Sequence, residues 1–299
     1  MTNPLLGRGR GSFSSAGLGR AVLGTPGIVL LALFAVAPMI ALIVSSVSAD
    51  GGGFTLDNLV KVFASPTYLT LLGRTILVAL LVTVLSIAIG WPAAWALARY
   101  TPARFRLLIL SLAIIPYITS QILLIYGMIT LLQPGGPLMS LTTALGFTAP
   151  EDSILYTPAA TIVMLVYESL PTAILVMYAA SDQLDGRLIE AARSLGVGTV
   201  GVFRRVIWPL SAPLLFVNFA LTFVQTAGAF AEPSILGGPN GQLIGNVIAA
   251  QVGSGVNRGF AVALSLVLLV VSLAIVGLVS LLLNPPKRPG PVRLKKGSR

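Results

Sequence analysis

The sequence predicts an all-α protein that crosses a membrane six times, and two observations support this prediction. Of the 299 residues, 56% are hydrophobic and only 9% are charged, whereas about 25% of the residues of a typical soluble domain are charged. Uncharged runs also recur along the chain, and each is at least as long as the roughly 20 residues that span a bilayer as a helix. These runs are residues 21–49, 75–98, 107–150, 206–231 and 259–286.

Polar and turn-rich segments divide these runs into six predicted transmembrane helices. The run 107–150 is too long for one helix, and the Gln-Pro-Gly-Gly-Pro segment at 133–137 interrupts it. The predicted spans are 27–47, 75–98, 107–132, 158–180, 213–231 and 259–283. Together they form a transmembrane domain at 27–283, with a basic N-terminal tail at 1–26 and a basic C-terminal tail at 284–299.

The basic residues orient this arrangement in the membrane. Of the 19 lysine and arginine residues, all but Lys61, Arg74 and Arg258 lie in the two tails or in the loops after the second and fourth spans. The positive-inside rule therefore places both termini and the loop at 181–212 in the cytoplasm of a bacterial inner membrane. The net charge of +10 arises from these loops, so we expect contact with membrane lipid and not with nucleic acid.

Composition excludes several classes of active site. The chain contains no cysteine and no histidine, which rules out disulfides, thiolate or imidazole metal sites and histidine-based catalysis. The nine acidic residues are scattered along the sequence. We therefore predict no metal site and no catalytic residue, and a membrane enzyme is a remote alternative.

The predicted cytoplasmic loop at 181–212 contains a GxGxxG spacing formed by Gly196, Gly198 and Gly201. A dinucleotide-binding loop with this spacing follows a β-strand and opens a helix within a βαβ unit. No parallel sheet is predicted here, and the sequence GxxxxGK[ST] does not occur. The glycines therefore do not indicate a nucleotide-binding site.

Helical periodicity explains the same loop better. Leu188, Ala192 and Leu195 repeat at i, i+4 and i+7, as they would on one face of a helix. We expect Gly196 to end this helix in the left-handed conformation, and Thr199 to cap a second short helix at 200–206. On periodicity alone, a plain helix–turn–helix connector between two spans is an alternative.

A longer pattern in this loop indicates a specific family. Membrane subunits of ABC importers share the pattern EAA---G---------I-LP in a cytoplasmic loop between two spans. The matching residues are Glu190-Ala191-Ala192, Gly196, Ile207 and Pro209. The sequence departs from the pattern at Trp208. Weaker matches to permeases of the spermidine/putrescine type lie at 53–58, 90–99 and 236–248. The chain resembles this family over most of its length.

The resemblance implies a MetI-like, type I ABC importer permease. In such permeases the loop is a coupling helix that seats in a groove of a separate ATPase subunit. This chain would then have no cofactor of its own, because ATP and Mg²⁺ would be bound by the partner. The coupling residues would be Glu190, Ala191, Ala192, Arg193, Gly196, Arg204 and Pro209.

The resemblance also implies the composition of the complex. Six spans make half of a pathway, so we expect a second, homologous permease, in a heterodimer or alternatively a homodimer. Two ABC ATPase subunits and an extracytoplasmic substrate-binding protein complete the expected assembly. The outer loops would meet the binding protein, and Glu232 and Asn240 are the residues that we expect near this contact.

Glu168 is the one acidic residue within a predicted span. A carboxylate at membrane depth is costly, so we expect it to face the bundle interior or a wet cavity and to have a functional role. Nearby Pro171 removes a helical hydrogen bond from the carbonyl of Tyr167, which makes this point irregular. A carboxylate would suit a cationic substrate.

Further polar residues follow helical spacing within the spans. Residues proposed for a translocation pathway are Tyr117, Gln121, Tyr167, Glu168, Thr172, Asn218 and Gln225. For the asparagine, glutamine and threonine positions, ordinary hydrogen bonding between helices is the simpler interpretation.

The function predicted from these features is that of a non-catalytic permease subunit coupled to a separate ATPase. The substrate suggested by the resemblance is a polyamine or a similar organic cation. Aminophosphonate, ferric iron and thiamine are alternative cargoes for the same architecture. An ion-coupled secondary transporter is a weaker alternative, because such a protein usually has several carboxylates within its spans.

Overall fold

The computed structural model describes residues 56–147, 149, 152–254 and 258–283, together with isolated positions between 30 and 44. The two basic tails lie outside the described residues, and the first predicted span, 27–47, lies largely outside them. The number of spans and the sides on which the termini lie therefore stay predictions.

The described residues are almost entirely helical, as the composition predicts. In chain order the helices are α1 (Asp57–Ala64), α2 (Pro66–Tyr100), α3 (Ala103–Ile118), α4 (Gln121–Leu132), α5 (Pro137–Ala144), α6 (Pro158–Asp182), α7 (Gly186–Ser194), α8 (Thr199–Val202), α9 (Trp208–Ala227), α10 (Ala231–Leu236), α11 (Ile244–Ser254) and α12 (Arg258–Leu283). A π-helical turn, Phe203–Ile207, joins α8 directly to α9.

Within the described residues, five helical segments are long and apolar enough to cross a membrane. These segments are Pro66–Tyr100, Gln121–Ala144, Pro158–Asp182, Thr199–Ala227 and Arg258–Leu283. Four of them correspond to the second, fourth, fifth and sixth predicted spans, and the largest difference is at the start of the fifth, where the segment begins at Thr199 and the predicted span at Pro213.

The third predicted span, 107–132, is wrong as a single helix. The chain leaves the helical conformation at Thr119, where ψ is 140°, and at Ser120, where ψ is 130°. α3 therefore ends at Ile118, and the segment of crossing length begins at Gln121. The break has no charged residue and no glycine to signal it, because short hydroxyl side chains make only a weak turn signal inside an apolar run.

The start of the fifth predicted span is also corrected. We expected the helix to begin at Pro213, but α9 begins at Trp208 and continues a helical path from α8. Pro209 lies in the first turn of α9, where a missing backbone N–H costs little. Pro213 lies farther inside the same helix.

Helices α2, α6 and α9 pack against one another and form the centre of the bundle. The contact is closest between α2 and α6, where a Cβ atom built on Gly90 would lie 2.7 Å from the Cβ of Ala173. Small residues allow such close approach of two backbones, which is how helices associate in lipid without a hydrophobic driving force between them. Helix α12 packs against the outside of α9 and α11.

Some buried hydroxyl groups in this centre donate hydrogen bonds within their own helices. Thr83 Oγ1 donates to the carbonyl of Ala79 at 2.7 Å, and Ser169 Oγ donates to the carbonyl of Leu165 at 2.7 Å. Such bonds to the preceding turn keep a polar side chain compatible with an apolar surrounding. They leave the helix faces free to pack closely.

Gly90→Ala is expected to destabilise the bundle by about 1–3 kcal/mol, because the added methyl group forces α2 and α6 apart at an already filled contact. The matched control is Gly73→Ala in the same helix, where an added Cβ meets nothing within 4 Å. The melting temperatures of the two variants in detergent measure the difference in their stability. Equal melting temperatures for the two variants would contradict the tight contact.

Candidate functional site

Helix α7 presents the predicted coupling residues at the surface. Asp185 caps the helix, since its Oδ1 accepts a hydrogen bond of 2.9 Å from the backbone N–H of Arg187. Glu190, Ala191 and Arg193 are exposed, and α7 has no buried residue. A capped and amphipathic helix that buries none of its side chains in its own bundle leaves its outer face available to a partner.

Gly196 ends this helix as predicted. Its φ angle is +78°, a conformation that L side chains avoid. The N–H of Gly196 donates to the carbonyl of Arg193 at 2.9 Å, and the N–H of Val197 donates to the carbonyl of Ala192 at 3.1 Å. These two bonds form a Schellman motif, which satisfies the last carbonyl groups of a helix.

The second half of the loop differs in detail from the prediction. Gly198 and not Thr199 occupies the N-cap position of α8, and the cap has no side-chain hydrogen bond. Arg204 is exposed on the π-helical turn, and Pro209 is half-buried in the first turn of α9. The GxGxxG glycines follow helix α7 and not a strand.

The departure from the family pattern at Trp208 has a structural explanation. The Trp208 ring packs against Trp91 of α2 with a centroid separation of 5.8 Å, and Phe203 lies 5.5 Å from the same Trp91 ring. These three aromatic side chains line an apolar groove of about 800 Å³ between α2 and the loop. Trp208 therefore attaches the loop to the core helix α2.

Arg99 attaches the base of α7 to the bundle, a role that sequence reasoning missed. Its Nη2 donates to the carbonyls of Leu184 at 2.5 Å and Ser181 at 3.4 Å, and its guanidinium lies 5.1 Å from the Trp95 ring centroid. A guanidinium can serve several acceptors at once because its donors are held in a rigid fork. In the sequence, Arg99 contributed to the charge count that orients the spans and to the family match at 90–99, and neither predicts this contact.

A second group of predicted residues surrounds two adjoining polar cavities elsewhere in the bundle. The smaller cavity, about 160 Å³, is lined by residues of α3, α4, α6 and α9 and includes Tyr117. The larger cavity, about 320 Å³, includes the segment from Gly228 to Glu232. Gln121, Glu168 and Gln225 line both cavities. The structure thus brings together four predicted pathway residues from four helices.

Glu232 also lines the larger cavity, so its environment differs from the one that we predicted. We expected Glu232 on an outer loop facing a binding protein, but its side chain is only 2% exposed. Its Oε1 accepts a hydrogen bond from Gln121 Nε2, and its carboxyl group interacts electrostatically with Glu168. Direct contact of this side chain with another protein is therefore incompatible with the described conformation.

Short helix α10 is the reason for this placement. It packs against α6 and α4, so Glu232 in its first turn points into the bundle. Neither periodicity nor hydropathy signals such an inward turn in a helix of six residues.

The other predicted residues lie outside the shared lining of the two cavities. Tyr117 and Thr172 hydrogen-bond through their hydroxyl groups, which connects α3 to α6. Tyr167 is 39% exposed, and Asn218 is fully buried, with no partner for its amide among the residues that the structure describes. Neither residue lines these cavities. Asn240 is exposed in the turn after α10, and its contact with a binding protein stays a prediction.

The charge of the cavity lining is one-sided. Among the described residues, the lining of the two cavities includes Glu168 and Glu232 but no lysine or arginine. Two neighbouring carboxyl groups inside a protein repel each other when both are ionised, so a proton or a cation beside them is favourable. The arrangement is therefore suited to holding positive charge.

Comparisons with solved structures identify the fold. A bacterial ABC transporter involved in the import of the acidic polysaccharide alginate matches with a TM-score of 0.67 at 20% identity, over 89% of this chain and 95% of that chain. The MetNI methionine ABC transporter in an inward-facing conformation matches with a TM-score of 0.53 at 19% identity, over 73% of this chain and 97% of that chain. The fold is that of a MetI-like, type I ABC importer permease.

Comparisons of sequence identify the family. The spermidine/putrescine transport system permease protein PotB of Haemophilus influenzae is 33% identical over 245 residues, which are 78% of this chain and 85% of the relative. A family model described as the binding-protein-dependent transport system inner membrane component matches residues 86–285. The chain belongs to this family of inner-membrane permease subunits of ABC importers.

Proposed function

We propose that this permease subunit imports a polyamine, such as spermidine or putrescine, as one half of a translocation pathway driven by a partner ATPase. The observation that supports a cationic cargo is the pair of acidic side chains, Glu168 and Glu232, facing one cavity whose lining includes no basic residue. The similarity to PotB, a spermidine/putrescine permease, supports the same class of cargo. Polyamines have several ammonium groups at neutral pH, since primary amines titrate near pH 10.

The coupling to ATP hydrolysis is proposed to pass through α7. Its exposed Glu190 and Ala191 would lie in a groove of the ATPase, where a small side chain permits close approach of the two backbones. Arg99 ties the base of α7 to the ends of α2 and α6. A displacement of α7 by the ATPase would therefore move these two core helices. The ATP and Mg²⁺ are bound by the partner, and this chain performs no catalysis itself.

The proposed complex contains a second, homologous permease, two ATPases and an extracytoplasmic binding protein. The proposed permease pair is a heterodimer, and a homodimer is the alternative. Both termini and α7 are proposed to lie in the cytoplasm, on the basis of the basic residues in the tails and in the loops after α2 and α6. The cavity then lies toward the outer half of the bundle.

The assembly and cargo are tested together by reconstitution. When this chain is co-expressed with the permease, ATPase and binding protein encoded with it, we expect the four proteins to copurify. In proteoliposomes, addition of binding protein loaded with putrescine should stimulate both ATP hydrolysis and uptake of labelled putrescine. Copurification without an ATPase, or uptake driven by an ion gradient without ATP, would contradict the proposal.

Glu190→Lys is expected to uncouple hydrolysis from transport. The side chain is exposed, so membrane insertion and melting temperature should stay unchanged, while charge reversal in the ATPase groove should lower uptake per ATP hydrolysed by about tenfold, as for the loss of one charge-assisted interface contact. Gly196→Asp is expected to act in the same way. The measurement is the ratio of uptake to hydrolysis, and normal transport by both variants would refute the role of α7.

Gly196→Ala tests the turn separately from the surface charge. Alanine at φ +78° costs about 1–2 kcal/mol, so we expect a displaced α7 and a several-fold lower ratio of uptake to hydrolysis. The matched control is Gly198→Ser, because Gly198 has φ −64°, open space around it and an N-cap position that serine favours. Equal ratios for the two variants would show that the left-handed turn is dispensable.

A further inference from the structure

The cavity beside α10 contains buried polar atoms that lack partners. Glu232 Oε1 accepts from Gln121, but Glu232 Oε2 is buried without a hydrogen-bond partner among the described residues. Within the described part of the chain, Thr226 Oγ1 on α9 is also buried without a partner, and Thr226 lines the same cavity. A buried polar group without a partner is unfavourable. Because both oxygens belong to residues that line one cavity, a ligand there that supplies hydrogen-bond donors would satisfy them.

The cavity has the size and charge for a small organic cation. Its volume of about 320 Å³ lies at the lower end of the range of small-molecule pockets, about 300–1,000 Å³. Three described residues with ionisable side chains line this cavity or the adjoining one: Glu168 of α6, Glu232 of α10 and Tyr117 of α3. The lining residues from α4 and α9 contribute amide and hydroxyl groups, so no fixed cation competes for the carboxyl groups.

A metal ion fits this site less well than an ammonium group does. The described residues contain no cluster of three or more aspartate, glutamate, histidine or cysteine side chains. Calcium sites use six to eight oxygen ligands with several carboxylates. A primary ammonium group has three N–H donors, which matches the orphaned acceptors on Glu232 and Thr226 and the carboxyl group of Glu168.

We propose that Glu168 and Glu232 share one proton in the empty site and release it when a primary ammonium group of the cargo binds between them. The O–H bond of the protonated carboxyl group breaks, its proton leaves to water in the cavity, and the ammonium group keeps its own three protons. With the shared proton bound, the two carboxyl groups have a net charge of −1. After the exchange, the two carboxylates and the bound ammonium group together again have a net charge of −1.

This charge balance is the physical advantage of the exchange. Burying a new net charge in the bundle would be expensive, whereas replacing a proton by an ammonium group leaves the net charge of the site unchanged. A neutral or anionic cargo would leave the second carboxylate uncompensated after the proton is lost. The pair thus selects for cations that donate hydrogen bonds. This inference rests on the proposed function only for the identity of the cargo.

Proton release is the direct test of the site. The assembled importer in detergent, in weakly buffered solution with a pH indicator, is titrated with putrescine and separately with tetramethylammonium, which has no N–H donor. We expect proton release with putrescine and none with tetramethylammonium. Glu232→Gln and Glu168→Gln should each abolish the release. The matched control, Asp152→Asn, replaces a loop carboxylate that accepts from the N–H of Ala149, keeps an acceptor oxygen and should release protons as the wild type does.

Transport provides the second readout. In proteoliposomes with saturating loaded binding protein, wild-type uptake per ATP should rise with increasing pH, because the proton competes with the ammonium group while putrescine stays charged. Glu232→Gln and Glu168→Gln should lower uptake per ATP by about tenfold, the loss of one charge-assisted bond, and should abolish its pH dependence. ATP hydrolysis stimulated by the binding protein serves as the control for folding and assembly.

The two proposals fail in different ways. Wild-type uptake of putrescine without proton release, or Glu232→Gln transport equal to wild type, would overturn the carboxyl pair as the cation site. Proton release without any putrescine uptake, in a complex that hydrolyses ATP, would overturn the proposed cargo and support the site. Equal proton release with tetramethylammonium would overturn the requirement for N–H donors.

Discussion

The close contact of α2 and α6 at Gly90 and Ala173 is the constraint on which the rest of the structure depends. In a bilayer, water does not drive helices together, so small residues must let backbones meet before other contacts can form. One end of this helix pair then brings Arg99 to the carbonyls of Leu184 and Ser181 and so positions α7. Farther along α6, the packing of the same two helices determines the position of Glu168.

The two proposed functional regions differ in their exposure. Helix α7, the proposed coupling helix, is exposed and is held at its ends, by Asp185 at its start, by Gly196 at its end and by Arg99 at its base. The cavity is internal, and its acidic groups are surrounded by residues of several helices. A partner protein can therefore push on the first region, while only a small ligand can enter the second. The core helices α2 and α6 connect the two.

Local signals were sufficient for parts of the fold and failed for others. The end of α7 at Gly196 was predictable because a left-handed turn needs glycine, and the residues involved are neighbours in sequence. The break at Thr119 and Ser120 was missed because an apolar run has nearly the same hydropathy with or without a two-residue interruption. The early start of α9 was missed because a proline in a first helical turn is compatible with a helix and is easily mistaken for a boundary.

The sequence by itself determined the membrane class, the helical fold, the loop helix that ends at Gly196 and the expectation that Glu168 faces the bundle interior. These properties follow from composition, periodicity and the cost of a buried charge, which act along the chain. Only the tertiary structure decided that Glu232 turns inward to join Glu168, that Gln121 donates to it, and that Trp208 and Arg99 attach the loop to the core. Each of these contacts joins residues of different helices, and the hydropathy of one helix does not specify which side chain of another helix will lie beside it.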